Sequence, residues 1–381
     1  MPELWPFVPQ RKMQEQLTWL TEVIDCKSAE QRLALRNIPR STWQFNYQLL
    51  QQELEAATYL ARNYGDVDYY LPVWPELTKV GTITALDTTI VFSTTSKRFK
   101  DGGYAFIIGD NWKTEVVEIA TVAAGQLNLA APYVAKSYTN AYVLPCYAAK
   151  MTNGFTFKKL NAEYFTASAS FTITDSFEVT PANPYTSYNS SYVVTDRPVV
   201  KGAVSENHVN QVAVFDNIAG PLTYAALFDY AVSDSSLAWS FDNLVATATF
   251  RQWLYITKGR AGSFYCPRWS RDFIVDVDIV NTDTSIIVID NDVRDDAYTG
   301  HIAIIKTDGT QVYAEVTGWS AAGLGQASMD LSGAIGADIL TSEVEMITRL
   351  PVMRLNSDSI SFDYSNGSVV NVVIPIKETP A

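Results

Sequence analysis

WQFNYQLL at residues 43–50 places Trp43, Phe45, Tyr47 and Leu49 at every second position, and Gln51 to Asn63 then changes period, with Leu54, Ala57, Tyr59, Leu60 and Ala61 marking a new apolar face. Period two with bulky aromatic residues reads as a strand with one buried side, and the run after it as a helix stopped by Gly65. The same succession returns later. SSLAWSF at 235–241 supplies a strand, and Thr247 to Lys258 a helix with Gly259 as its stop.

The recurrence can be followed residue by residue. Trp239 stands 196 positions after Trp43, and Trp269 of GRAGSFYCPRW stands 195 after Trp74 of GDVDYYLPVW. Asp283 follows Asp87 by 196, His301 and Glu315 follow Tyr104 and Glu118 by 197, and Gln326 follows Gln126 by 200. An offset that drifts without losing order is what loop insertions between conserved-length strands produce. Two such units of roughly 170 residues each match ordinary domain size. The expected division is an N-terminal arm at 1–20, a first domain at 21–175, a linker at 176–205 and a second domain at 206–381.

Between these landmarks the chain alternates short apolar runs with turn signals. The first unit offers TITAL, IVF, YAFIIG, TEVVEIATV, QLNLA, AYVLPCYAA and FTFKKL, punctuated by DGG, AAG and NG. The second offers FIVDVDIV, SIIVID, HIAIIK, QVYAEVTGW, ASMDL, EVEMITRLPVM, SISFDY and VVNVVIPI. This pattern predicts a mainly β fold with a few helices (α+β), built from two tandem related barrel-like or sandwich domains, each carrying one helix. The Pro- and Gln-rich residues 1–20 read as an arm that orders against a neighbour. SAEQRLALRNI at 28–38 reads as a short helix or an irregular lead-in limited by Pro39, and 176–205 as a loosely packed polar linker.

Composition narrows the functional classes. With 381 residues and 47% hydrophobic content the chain can bury a sizeable core in each unit. No apolar run is long enough to span a bilayer, and MPELWPFVPQ lacks the basic start of a signal peptide, so folding in a cytoplasm without membrane insertion is expected. The formal net charge of −13 argues against nucleic-acid binding by phosphate neutralisation. Cys26, Cys146 and Cys266 are odd in number and far apart, which reads as buried free thiols.

Segment 28–40 carries a Gln31-Arg32 pair, a second basic residue at Arg36 and a Pro39-Arg40 step, followed by the aromatic strand. That arrangement resembles the opening of distal tail and baseplate ring proteins of long-tailed bacteriophages and gene transfer agents. The resemblance implies a split β-barrel with a helix that forms rings with hexagonal symmetry at the tail tip, in a virion assembled in the bacterial host cytoplasm. It implies as partners further copies of the chain (a trimer or hexamer), the tail tube protein, the baseplate hub and the fibre or receptor-binding proteins, with DNA passing through the lumen unbound. The second unit departs from the motif: FDNIAGPLTYAALF carries none of these arginines.

Arg32, Arg36 and Arg40 are the candidate assembly residues, since Arg makes directional pairs at interfaces. Trp43, Trp74, Trp239 and Trp269 are the candidate core anchors. Asp290, Asp292, Asp295 and Asp296 form an oxygen-rich cluster that reads as a solvated turn rather than a Ca²⁺ loop, lacking the EF-hand pattern. Only His208 and His301 are present, and no GxSxG, HExxH or phosphate loop occurs, so no enzyme, metal or cofactor is expected. Tyr185, Tyr188 and Tyr192 in the linker read as surface aromatics that either touch a neighbour or rest on their own domain. The competing readings are an adhesin that stacks host carbohydrate on exposed Trp and Tyr, and a cell-wall glycosidase using paired carboxylates.

Overall fold

A computed structural model describes residues 2–26, 29–63, 65–110, 113–131, 134–175, 179–199, 206–209, 212–216, 218–226, 232–290, 298–365 and 369–379. The first part holds β1 (Glu3–Leu4), β2 (Met13–Thr18), β3 (Thr21–Cys26), β4 (Ala29–Ala34), β5 (Arg40–Leu50) and α1 (Gln51–Asn63). It continues with β6 (Tyr69–Pro72), β7 (Thr78–Ile83), β8 (Thr89–Val91), β9 (Tyr104–Ile108), β10 (Thr114–Ala123), β11 (Gln126–Leu129), β12 (Tyr138–Lys159) and β13 (Tyr164–Ile173). The hairpin β14 (Ser187–Tyr188) and β15 (Ser191–Tyr192) precedes β16 (Glu206–Val209), β17 (Val212–Phe215), β18 (Thr223–Ala226), β19 (Val232–Phe241) and α2 (Leu244–Thr257). The rest is β20 (Ser263–Tyr265), β21 (Ser285–Ile289), β22 (Gly300–Lys306), β23 (Gln311–Ala321), β24 (Gln326–Leu331), β25 (Val344–Arg349), β26 (Val352–Leu355), β27 (Ser359–Tyr364) and β28 (Val370–Glu378). The fold is mainly β with two α-helices among the described residues.

The alternation in WQFNYQLL is realised: β5 buries Trp43, Phe45, Tyr47 and Leu49 and exposes the residues between most of them. α1 keeps its expected bounds, and Glu53 accepts the Leu50 amide at 2.8 Å to close its first turn. α2 is capped by Asn243, whose side chain accepts from Ala246 N at 2.8 Å, and ends at Lys258 in the left-handed region.

Strand pairing recurs between the two parts of the chain. In the first, β8-β11-β10-β9-β12-β7 curl around an apolar core that includes Ile90, Ile107, Ile119, Leu127 and Val143. In the second, β21-β24-β23-β22-β25 enclose Ile286, Ile302, Met329 and Ile347. The matched residues meet matched partners: Tyr104 pairs with Glu118, and His301 with Glu315. Asp87 and Asp283 each accept an amide three residues back, from Thr84 at 2.7 Å and Val280 at 2.8 Å. Gly125 and Gly325 accept from Phe92 and Asp290, both at 2.9 Å. The amide before each matched Trp donates across to the opposite strand, Val73 to Pro145 O and Arg268 to Arg349 O.

A second layer was not foreseen. β12, β13, β5, β2, β27, β28, β19 and β16 form one antiparallel panel in that order. Its buried face, with both helices, makes a single core that holds Trp43, Phe45 and Phe171 from the first part together with Trp239, Phe250 and Ile374 from the second.

Residues 1–20 are therefore not an arm awaiting a neighbour. β2 lies in the middle of the panel, and Trp5 is fully buried, its indole N–H donating to Tyr47 Oη at 2.9 Å. Of the stretch 28–38, Ser28 lies outside the described residues, 29–34 is neither helical nor irregular but forms β4, paired with β3, and only 35–38 is irregular; a half-covered strand gains more from the ladder than Leu-Ala-rich composition gains from a helix. AYVLPCYAA and FTFKKL are one strand, β12: Asn153-Gly154 makes a bulge, with Gly154 at φ +72°, rather than a turn. FIVDVDIV gives only single bridges at Phe273, Val275 and Ile279. Its aspartates bond sideways instead, Asp278 accepting the Thr341 amide and Asp276 the Gln326 amide group, in competition with a ladder. Within the described part of the 176–205 segment, residues 179–199, Tyr185, Val193 and Val194 are buried and Val194 N donates to Tyr265 O, while the residues between them are largely exposed or half-buried.

Truncating Trp5 to Ala in the isolated chain is expected to cost about 3–5 kcal/mol in denaturant unfolding, the usual cost of emptying a large aromatic site. An arm that orders only on a neighbour would leave the free chain unaffected.

Candidate functional site

The place where the two parts of the chain meet concentrates the buried charge. In β2 the alternation Met13, Glu15, Leu17 faces inward, so a carboxylate sits where the pattern calls for an apolar side chain. Glu15 lies opposite Trp43 of β5 and Phe362 of β27 and is fully buried. Its Oε1 takes Arg98 Nη1 at 2.6 Å, and its Oε2 takes Arg251 Nη2 at 2.6 Å and the Tyr364 hydroxyl at 3.0 Å. Arg98 comes from the loop before β9 and also pairs with Glu76, whereas Arg251 comes from α2. Two carboxylates thus meet two guanidiniums, and the carboxylate on β2 touches both parts of the chain.

Burial on its own would raise the Glu15 carboxyl. The charges of Arg251 and Arg98, with hydrogen bonds from Tyr364 and Arg98, outweigh it and hold the group below its ordinary value. Burial likewise opposes the Arg98 cation, and Glu15 and Glu76 reverse that effect and raise it. The aromatic faces help: the Arg98 guanidinium lies 5.2 Å from the Trp43 ring centroid and that of Arg251 4.9 Å from Phe362.

The hairpin β3–β4 continues the joint by resting on the 3₁₀ turn Gly259–Ala261 and on β26. Asp358 accepts Thr21 N at 2.9 Å, Thr21 Oγ1 at 2.8 Å and Arg260 N at 2.9 Å. Gly259 sits at φ +68° directly beneath, where a Cβ would run into Asp358 and Trp19. Glu30 takes Arg354 in a two-point pair at 2.7 and 3.0 Å, both side chains almost wholly buried, with Lys377 at 3.6 Å. Desolvation pushes the carboxyls of Glu30 and Asp358 upward, and their bonds to Arg354 and to Arg260 and Thr21 win, leaving both below the ordinary range.

Of the three candidate arginines, Arg32 donates to Ser263 Oγ at 2.7 Å and Arg36 to the Thr18 carbonyl at 3.1 Å, both within the same chain, while Arg40 is exposed. The motif that carries the resemblance therefore lies on the internal joint. Trp43, Trp74 and Trp239 are buried in the shared core, and Trp269 is half-buried at φ +57°. Trp112 is outside the described residues, and none of the other eight Trp is exposed. Tyr185 is buried against Trp253, Tyr188 packs on Tyr265, His301 and Tyr313, and Tyr192 is half-buried against the core, so these are not free surface aromatics. Burial lowers His301, against the pull of Glu315. Cys146 and Cys266 are buried and free. Asp292, Asp295 and Asp296 lie outside the described residues, and Asp290 donates its amide to Gly325.

Sequence reading missed Glu15, Arg98, Glu76 and Arg251. The one available signal was the acidic residue at an inward position of MQEQLT; nothing local points to partners up to 349 positions away. No helix among the described residues is long and apolar enough to cross a membrane. No family model matches the chain, and no curated protein matches it.

Glu15→Ala is expected to destabilise by about 3–5 kcal/mol, because two guanidiniums lose a buried counter-charge. Because Glu15, Glu30 and Asp358 all have carboxyls lowered by folding, the unfolded chain binds more protons in acid. Their contribution is complete above the ordinary values of 4.5 for Glu and 3.8 for Asp and is lost as pH falls from there through the lowered native values. Melting temperature against pH should therefore drop steeply on the acid side, and a Glu30→Gln chain should show a shallower drop.

Proposed function

We propose that this protein is a structural subunit of a bacteriophage tail tip, in which copies of the chain close into a ring of hexagonal or pseudo-hexagonal symmetry between the tail tube and the hub and receptor-binding proteins. The observation that supports this reading is the asymmetry of the internal joint. Two parts with the same strand order meet through different edges, the first through β5 and the second through β27, with β2 between them. A contact between unlike edges is heterologous, and heterologous contacts repeated by rotation close into rings. A chain that already contains one such joint presents a closed ring with two quasi-equivalent positions per copy, so three chains make six positions and six chains make twelve.

Its action is geometric. The ring holds the end of the tube open at fixed diameter and offers its rim to the neighbouring tail proteins. A net charge of −13 suits a lumen that phosphate backbones pass without sticking. Common origin of the two parts by duplication is included in this proposal, since it explains why side chain for side chain the turns at Asp87 and Asp283 are alike.

Negative-stain microscopy of the purified protein, with its mass in solution, tests the reading. Three- or six-fold rings, and antibody labelling at the end of intact tails, are expected; a chain that stays monomeric at all concentrations and labels fibres or nothing overturns it.

A further inference from the structure

Resting on the ring reading, the next step concerns which surfaces of neighbouring copies meet. The likeness between the two parts extends upstream of Trp43 and Trp239. β2 lies against β5, and the hairpin β3–β4 stands between them in sequence; β16 lies against β19, and the hairpin β17–β18 stands between them. What differs is the company they keep. The outer edge of β2 is covered by β27, and its hairpin rests on Gly259–Ala261 and Arg354. Among the described residues, β16 pairs only with β19, and the hairpin β17–β18 leaves Val212, Val214, Phe215, Leu222 and Tyr224 40–62% exposed.

The counterpart of β27 in the first part is the distal stretch of β12, since Tyr364 lies opposite Val370 of β28 as Phe155 lies opposite Ala169 of β13. From Lys150 to Lys159 this stretch, among the described residues, pairs only with β13, and beside it Phe157, Leu160 and Tyr164 are 39–58% exposed. These two unpaired edges are the opposite ends of the same eight-strand panel, separated by about 34 Å at ordinary strand spacing, so they do not meet within one chain.

We infer that the occupant of each edge is a second copy of this chain: β16 of one copy adds to the 150–159 edge of β12 in the next, and the hairpin β17–β18 lies over the next copy's first part, as β2 and β3–β4 do internally. Unpaired strand edges join by backbone hydrogen bonds, and the side chains around them select the partner. The selection differs between the joints. β4 brings Glu30 and Arg32 to the internal joint, whereas β18 reads TYAA, so the contact between copies is apolar, with Val214, Phe215 and Tyr224 meeting Phe157, Leu160 and Tyr164. Association therefore survives salt that screens surface ion pairs, about 1 M.

The test uses full-length chains carrying either Asn207→Cys or Thr156→Cys, mixed and treated with a short bis-maleimide, beside a Val214→Asp/Phe215→Asp chain studied by solution mass. Cross-linked dimers in the mixture but not in either variant alone, and association weakened about tenfold or more by the double Asp change, are expected. If the unmodified protein forms rings while the mixture gives no cross-link and the Asp variant assembles normally, this joint is wrong and the ring stands. If the unmodified protein stays monomeric and no cross-link forms, both fall.

Discussion

Everything in this molecule leans on one buried carboxylate. Glu15 sits in the strand that joins the two repeated parts, between β5 and β27, and its two oxygens reach a guanidinium from each. An isolated charge at that depth would cost far more than the strand's pairing could offset, so β2 is stable in the panel only when Arg98 and Arg251 are both in place. The converse also holds. Two parts that share an apolar core have no strong reason to choose one relative orientation over another, since apolar contact is non-directional. The four-charge cluster, with Tyr364 and the faces of Trp43 and Phe362 around it, biases that choice because its hydrogen bonds, unlike apolar contact, are directional.

The division of labour between this cluster and the hairpin gives the joint its geometry. The cluster is central and fully enclosed, whereas the Glu30–Arg354 pair and the Asp358 bonds lie toward one end of β2 and act as a second point of attachment. Two separated attachments resist twisting as well as sliding, so the two parts keep one relative angle.

How much of this could be read in the sequence follows the range of the interactions. The mainly β class, β5 and both helices were legible because periodicity is a local signal, and the matched positions Tyr104 and His301, Glu118 and Glu315 because repeated spacing is a comparative one; that each pair meets across two strands was not. The strands within 1–20 and 28–38 were misread because Pro- and Gln-rich and Leu-Ala-rich composition mimics an arm and a helix, while β2 is held by β27 far along the chain and β4 by its hairpin partner β3. Arg32 and Arg36, expected at a contact between copies, make bonds within their own chain, to Ser263 and to the Thr18 carbonyl, while Arg40 is exposed. Glu15 was passed over because an acidic residue in a polar-looking stretch reads as solvated until its neighbours are known.

The position of β2 also sets an order of events during synthesis. It leaves the ribosome before β5 and can pair with it soon after, but β27 follows more than three hundred residues later, so for that interval one edge of β2 stands open. Open edges recruit wrong strands, including those of sister chains on the same message. The inward-pointing charge of Glu15 makes every premature partner a poor one, because covering it without Arg251 and Tyr364 strands half of its hydrogen bonds. The residue that locks the finished fold is, before that, what keeps the unfinished chain from accepting a wrong strand.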